Sequence, residues 1–291
     1  MKGGSLKEYD SLADRIRLHH QVDKRPVAIV EGPSDERTLG RAFGEGISYF
    51  AAGTRDSALV ESRTLHGWGQ NYFLCIVDRD FDDVVAEFEA QQIPIHAYEN
   101  ADLEAMLSIS SVAVSLIAEF GSANKIESRG GVVQIRDKIY RMVEPVTLLR
   151  RANVENSWGL AFDAVDLRTK VDKKEMELKT QSYCAALNET SDRAPGQKVL
   201  FQYATGKLPL KKSPSCPRGT SPYFRGRDFV AFLSVFLCGY CGTKRSQSVE
   251  PEILEASLRL GGSDHIKASS WGQELRASIA AFTCRDQPCL H

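Results

Sequence analysis

The chain has 291 residues, of which 42% are hydrophobic, and this is enough to bury the core of one large domain or two small ones. Its 37 basic and 38 acidic residues give a net charge of -1, which excludes whole-protein positive charge as a basis for binding nucleic acid. The N-terminus lacks the apolar core of a signal peptide, and no stretch approaches the roughly 18 apolar residues of a membrane helix. We therefore expect a soluble, cytoplasmic protein with no membrane contact.

The first third of the chain alternates short apolar runs with helical stretches. Residues 1–24 are expected to hold an N-terminal helix, and residues 25–110 a separate domain. In that domain the patterns predict strands at 26–30, 47–53, 72–77 and 93–98, and helices at 34–46, 54–69 and 82–92. Such alternation is typical of an α/β fold, a Rossmann-like parallel sheet with helices on its faces.

The remainder, residues 111–291, is expected to be mainly helical. The stretches 132–151 and 173–189 read as helices, with Pro145 placing a kink or a boundary inside the first. Residues 205–227 are rich in proline, serine and cations, and predict a long basic loop. The apolar helices of this region suggest a homodimer.

Acidic residues follow three of the four predicted strands. They are Glu31 and Asp35 after the first, Asp78 and Asp80 after the third, and Asp102 and Glu104 after the fourth. Ligands collect beyond the carboxyl ends of parallel strands, and residues two apart in a strand point the same way. Clustered carboxylates repel one another unless a cation is present, and oxygen ligands suit Mg²⁺ or Mn²⁺. The conjunction predicts a metal-assisted phosphoryl-transfer site, although Asp35 taken singly is more often a helix cap.

Two segments carry a family resemblance. "IVEGPSDERTL" and, further on, "CIVDRDFDD" resemble the Toprim (topoisomerase-primase) domain, and the chain is most similar to the DUF4435 family, related to nucleases of the overcoming-lysogenization-defect group. "NADLEAML", "FRGRDFVAFLS" and "EILEASLRL" resemble further segments of that family. Where the family has histidine after glycine, this chain has Arg227, so no catalytic role is expected there, and Asp228 is expected to serve structure.

The resemblance implies a Mg²⁺-dependent nuclease whose centre is formed by Glu31, Asp78 and Asp80. Asp35 would support a second ion, and Glu104, then Asp102, would be further ligands. Glu31 acts either as a ligand or as the general base. The family implies a toxic effector of bacterial anti-phage defence, in some systems, such as PARIS, controlled by a partner ATPase. This chain has no nucleotide-binding Gly-x-x-x-x-Gly-Lys-Ser/Thr motif, so any ATPase is another polypeptide.

The basic loop is a candidate contact for RNA, including tRNA, or for DNA. Its aromatic residues could stack on bases while its cations follow the backbone, but a protein partner or simple solvation remains an alternative. The candidate residues are Lys207, Lys211, Lys212, Arg218, Tyr223, Arg225 and Arg227. Two rival functions stay open, a primase-like nucleotidyl transferase and a catalytically silent binding or regulatory subunit.

The seven cysteines are scattered, which suits a reducing compartment better than a disulfide framework. Cys238 and Cys241 have the spacing of zinc ligands, with Cys284 and either Cys289 or His291 as partners. Buried free cysteines are common core residues, and the sequence favours that interpretation for the pair.

Overall fold

The computed structural model describes residues 11–211 and 221–285, without the side chains of 283–285. The chain forms two compact units. The first unit comprises Met1–Arg79, Asp83–Tyr98 and Gly262–His291, and the second unit comprises Asp80–Asp82 and Glu99–Gly261. The described residues 262–285, which were expected in the helical C-terminal region, thus fall in the first unit.

The secondary structure of the described residues is mostly helical. The α-helices are α1 Leu12–Val22, α2 Pro33–Phe43, α3 Arg55–Gly67, α4 Val84–Ala90, α5 Leu103–Ser108, α6 Ser111–Phe120, α7 Ala123–Ser128, α8 Val132–Asn156, α9 Thr180–Thr190, α10 Gln197–Ala204, α11 Gly226–Val235, α12 Pro251–Ala268 and α13 Ser270–Arg285. The strands are β1 Val27–Val30, β2 Ser48–Ala51, β3 Phe73–Ile76, β4 Val171–Asp172 and β5 Glu177–Leu178.

A parallel sheet organises the first unit, with the strand order β2-β1-β3. At its carboxyl edge Val30 pairs with Ala51 on one side and with Ile76 on the other. All residues of β1 and β3 are buried, as expected of parallel strands covered by helices on both faces. The α/β class and the three strands that the sequence predicts here are confirmed.

The predicted fourth strand is wrong as a regular element. Residues 93–98 run beside β3 with a single parallel bridge, between Cys75 and Ile95. Pro94 has no N–H to donate, but its carbonyl accepts from the N–H of Cys75 at 3.0 Å. The N–H of Tyr98 reaches the carbonyl of Val77 at 3.2 Å, so this segment still follows the edge of the sheet to the end of β3.

Trp271 of α13 fixes the end of that segment within the first unit. Its indole N–H donates to the carbonyl of Ala97 at 2.9 Å, and its ring stacks on Tyr98 with centroids 5.2 Å apart. The backbone carbonyl of Trp271 lies 3.1 Å from Nε2 of His96. Trp271 is fully buried, so this contact orders Tyr98 beside the sheet.

In the second unit the long helix α8 runs through Pro145 without interruption. Of the two predicted alternatives at this proline, a kink or a boundary, the boundary is therefore wrong. Buried residues on both sides, among them Met142, Val146 and Leu149, give the helix packing free energy to offset the one lost backbone hydrogen bond. The predicted helix at 173–189 is also wrong in its first half, which forms the β4–β5 hairpin, with Met176 in a left-handed conformation at φ 52°.

A buried ion pair lies in the core of the second unit. The guanidinium of Arg150 donates to both carboxylate oxygens of Asp228, at 2.6 and 2.7 Å, and also lies over the ring of Phe162. This geometry agrees with the expected structural role of Asp228. None of the helices in the described parts of the chain is both long and apolar enough to cross a membrane.

Candidate functional site

The carboxyl ends of β1 and β3 meet through the side chain of Glu31. Its Oε1 accepts a hydrogen bond of 2.7 Å from the backbone N–H of Asp78, while its carbonyl accepts from the N–H of Gly53 at 2.7 Å. Glu31 immediately follows β1, and Asp78 lies two residues beyond β3. Both carboxylates are half-buried. The structure thus brings together the ends of the first and third strands, where the sequence analysis placed its candidate metal ligands.

Asp35 holds the turn between β1 and α2. Its Oδ2 accepts from the N–H of Gly32 at 3.2 Å, and its Oδ1 accepts from the hydroxyl of Tyr98 at 2.9 Å. Pro33 occupies the first turn, where its missing N–H costs nothing. These contacts favour the helix-cap interpretation of Asp35 and anchor it to the segment beside β3.

Arg55 contacts the same loop and was missed by the sequence analysis. It opens α3, whose N-cap Thr54 accepts a hydrogen bond from the N–H of Ser57. The guanidinium Nε donates to the carbonyl of Asp78 at 2.9 Å, and Nη2 donates to that of Arg79 at 3.3 Å. A signal was present in the sequence, because Arg55 opens the helix that follows β2, and the loops after parallel strands lie at the same sheet edge as the acids after β1 and β3.

Arg79 has a role that the sequence analysis did not consider. In the structure its Nε donates to the backbone carbonyl of Tyr98 at 3.1 Å. Arg79 therefore ties the loop after β3 to the segment that carries the Asp35 partner.

The carboxylates of Glu31 and Asp78 form a small set of ligands that can bind a cation. Two half-buried carboxylates at one sheet edge offer hard oxygen donors, and Mg²⁺ is commonly held by one or two carboxylates while it keeps several waters. Among the side chains of residues 11–211 and 221–282, no group of three or more histidines, cysteines, aspartates or glutamates is arranged to hold a metal ion. The residues present fit a sparse, water-rich site and not a closed protein cage.

Asp80 belongs to the second unit. Its N–H donates to the carbonyl of Ala101 at 2.9 Å, and its own carbonyl accepts a hydrogen bond from the hydroxyl of Tyr223. Its φ of 51° is left-handed, a conformation that aspartate adopts more readily than most residues. Because β3 ends at Ile76 and Asp80 is not extended, the alternation of side chains along a strand does not apply to Asp80. A metal ion shared by Asp78 and Asp80 stays a prediction.

Asp102 is buried in the second unit and caps α5. One carboxylate oxygen accepts from the N–H of Ala105 at 2.7 Å, and the other accepts from the N–H of Gly226 at 2.9 Å. Burial, and then the charge of Glu104, raises the pKa of Asp102 to about 8. Gly226 fits closely here, since a Cβ would overlap the backbone nitrogen of Ala105 and the Asp102 carboxylate. These contacts favour a structural role for Asp102.

Glu104 forms an ion pair with Arg259 of α12 in the second unit. Arg259 also lies 3.8 Å from Glu255, whose pKa is raised by burial and by the charge of Glu104. The predicted ligand Glu104 thus already has a cationic partner.

The basic loop is described only in part, because Lys212 and Arg218 lie outside the described residues. Arg225 pairs with Asp163 at 3.0 Å, and the largely exposed Arg227 lies 3.5 Å from Glu255. Lys207 lies over the ring of Phe201, and the N–H of Lys211 donates to Glu155 at 2.9 Å. Arg225 and Arg227 are thus partly neutralised within the second unit.

Tyr223 is buried against Phe81 and Ala101 in a small apolar cluster. Its ring meets that of Phe81 edge to face, with centroids 5.6 Å apart. The expectation that Tyr223 stacks on a base is corrected, because its ring packs in this cluster and Tyr223 is only 9% exposed.

The cysteine pair also favours the packing interpretation. Cys241 is buried and its Sγ lies 3.5 Å from the carbonyl of Phe236, while Cys238 is half-buried and free. Burial raises the pKa of the Cys241 thiol to about 11, which disfavours the thiolate that binds zinc. Of the expected zinc partners, Cys289 and His291 lie outside the described residues, as does the side chain of Cys284.

Comparisons with known proteins add no family assignment. The chain matches no protein-family model, and it matches none of the curated proteins with which it was compared.

Proposed function

We propose that the chain is a Mg²⁺-dependent or Mn²⁺-dependent nuclease of the Toprim type, which cleaves phosphodiester bonds in RNA, such as tRNA, or in DNA. The observation that carries this proposal is the hydrogen bond between Glu31 Oε1 and the N–H of Asp78. It puts an acid from the end of β1 beside an acid-bearing loop from the end of β3. The motif resemblance of these two segments to the Toprim centre supports the same conclusion.

Glu31 and Asp78 are the proposed ligands in the first unit. A divalent cation bound there would stabilise the negative charge that develops on a phosphodiester as it is cleaved. The Asp78 N–H fixes one oxygen of Glu31 and so orients the carboxylate, and the half-buried position limits competition from bulk water. Glu31 serves either as a ligand or as the group that accepts the proton of the attacking water.

The other predicted acids have different proposed roles. Asp35 positions the turn after β1 through its contacts with Gly32 and Tyr98. Asp80 follows Asp78 by two residues and keeps the ligand role that the resemblance implies, to be tested by its own substitution. Asp102 and Glu104 are proposed as structural, because their carboxylates already contact backbone N–H groups and Arg259, respectively.

The wider biology follows only from the resemblance. On that basis the protein is a toxic effector of anti-phage defence that is held inactive by a partner ATPase of the ABC or AAA type. The homodimer is proposed on a different ground, the apolar helices of the C-terminal region. The described cations of the basic loop, which we propose to contact nucleic acid, are Lys207, Lys211, Arg225 and Arg227.

The test is cleavage of separate RNA and DNA pools by purified protein with Mg²⁺, Mn²⁺ or chelator. We expect metal-dependent cleavage of one pool, and at least a roughly 100-fold loss for Glu31→Gln and Asp78→Asn. Asp80→Asn tests the third ligand separately. Glu45→Gln is the matched control, because Glu45 is an exposed acid that precedes β2 at the opposite end of the sheet. The same variants are also tested for toxicity in cells, which detects an activity that requires a partner protein.

A binding module without catalysis is the second candidate. It is favoured by the contacts of the acids, since the side chains of Glu31 and Asp35 already hold the backbone N–H groups of Asp78 and Gly32. If the protein bound nucleic acid tightly but wild type and Glu31→Gln were equally inactive in the tube and in cells, this second function would replace the first.

A further inference from the structure

We propose that Arg55 is a positioning residue for the metal ligands, a role that rests on the proposed nuclease function. It would act by holding the backbone of the loop that carries Asp78, without itself touching the ion. The sequence motifs do not include this residue, and it comes from a different strand-helix junction than either acid.

The contacts of Arg55 form a continuous connection to Glu31. Its guanidinium donates to the carbonyls of two successive residues, Asp78 at 2.9 Å and Arg79 at 3.3 Å. The same peptide segment donates from the N–H of Asp78 to Glu31 Oε1 at 2.7 Å. The loop is therefore held from one side by the cation on α3 and from the other by the acid after β1.

The planar guanidinium is the feature that suits Arg55 to this task. Two donors with fixed mutual geometry can bind two adjacent carbonyls at once, which fixes both the position and the rotation of the loop. A lysine at this site would keep the positive charge but offers a single ammonium centre on a flexible stem. Residues that orient metal ligands from behind typically change metal affinity about 10-fold to 100-fold when substituted.

The neighbouring contacts show why the loop needs this support. Asp78 and Arg79 lie beyond the last residue of β3, so the sheet ladder itself no longer fixes them. Arg79 is held further by its own side chain, which donates to the carbonyl of Tyr98 at 3.1 Å. Arg55, on the helix that follows β2, thus fixes the carbonyl of Asp78 through its hydrogen bond.

Arg55→Lys separates geometry from charge, because both side chains are cationic. The probe is Mn²⁺ alone, titrated into the full-length protein by isothermal calorimetry. We expect wild type to bind and Arg55→Lys to bind about 10-fold more weakly. The control is Arg63→Lys, the same substitution on the same helix, where Arg63 lies over the ring of Phe88 and is expected to leave Mn²⁺ affinity unchanged.

A second measurement does not depend on the metal. Hydrogen exchange of the Asp78 amide in metal-free protein reports the bond to Glu31, and its protection should fall in Arg55→Lys but not in Arg63→Lys. Equal Mn²⁺ affinity and equal Asp78 protection in wild type and Arg55→Lys would overturn the role of Arg55 while leaving the nuclease proposal standing. If wild type itself bound no Mn²⁺, both proposals would fall together.

Discussion

The side chain of Glu31 accepts a hydrogen bond from the backbone N–H of Asp78, across 2.7 Å, and so joins the ends of two neighbouring parallel strands. A carboxylate placed there has two possible uses. It can hold the loop after β3, and it can bind a cation together with the Asp78 carboxylate. Substitutions that separate charge from hydrogen bonding distinguish the two uses.

Glu31→Gln and Glu31→Ala should differ in stability but not in activity. Glutamine keeps an oxygen acceptor for the Asp78 N–H and removes only the charge, whereas alanine removes both. We expect alanine to lower the free energy of unfolding by about 1 kcal/mol more than glutamine, while both abolish cleavage. Urea unfolding of the two variants checks this, and equal stability would show that the hydrogen bond contributes nothing to the fold.

Breaking the buried pair of Arg150 and Asp228 should destabilise the second unit strongly. The side chain of Asp228 is 3% exposed, so Asp228→Asn leaves the Arg150 cation buried without its counter-charge. We expect a loss of about 3–5 kcal/mol in the free energy of unfolding.

The matched control for that pair is Asp163→Asn. Asp163 also pairs with an arginine, Arg225, but its side chain is 73% exposed, and such pairs contribute at most about 1 kcal/mol. Chemical denaturation of both variants measures the difference. Similar small losses for both would mean that Asp228 is not essential to the core.

Gly226 should not tolerate a side chain. A Cβ at this position would overlap backbone and side-chain atoms of Ala105, Glu104 and Asp102, and backbone cannot move cheaply. We expect Gly226→Ala to cost about 1–3 kcal/mol, measured by thermal or urea unfolding. Gly239→Ala is the control, since a Cβ there meets nothing within 4 Å, and a comparable loss in the control would remove the steric explanation.

The buried carboxyl of Asp102 should make the second unit less stable as the pH rises. Its pKa is raised from 3.8 to about 8, first by burial and then by Glu104. Between these two pH values the folded state keeps a proton on Asp102 that the unfolded state has lost. The stabilising contribution of the protonated Asp102 is therefore complete below pH 4 and is lost as the pH rises toward 8.

Urea unfolding at several pH values between 4 and 8 measures this effect. The contribution of one carboxyl cannot exceed about 1.4 kcal/mol per pH unit. We expect Asp102→Asn to flatten the dependence of the unfolding free energy on pH relative to wild type. An unchanged slope would show that Asp102 ionises normally in the folded protein.

The parallel sheet and the acids at its carboxyl edge could be predicted from sequence because both rest on local patterns. Buried strands such as Val27–Val30 are uninterrupted apolar runs, and a parallel sheet requires their ends to lie at one edge. The position of Glu31 beside the Asp78 loop follows from those two facts.

Other features depend on contacts between distant parts of the chain. Pro145 lies inside a continuous helix because packing outweighs its local preference, and the segment at 93–98 follows β3 without regular strand geometry. Arg150 reads as an exposed arginine until its partner Asp228, 78 residues later, is known. Tyr223 likewise reads as a base-stacking residue until it is found packed against Phe81.

The most direct test of the central claim is a crystal structure of the protein soaked with Mn²⁺, read by its anomalous scattering. We predict a peak within about 2–2.5 Å of one oxygen of Glu31 and one oxygen of Asp78. The peak should be absent from crystals of Glu31→Gln. A bound Mn²⁺ that contacts neither residue, or no Mn²⁺ at this edge of the sheet at saturating concentration, would contradict the proposed metal centre.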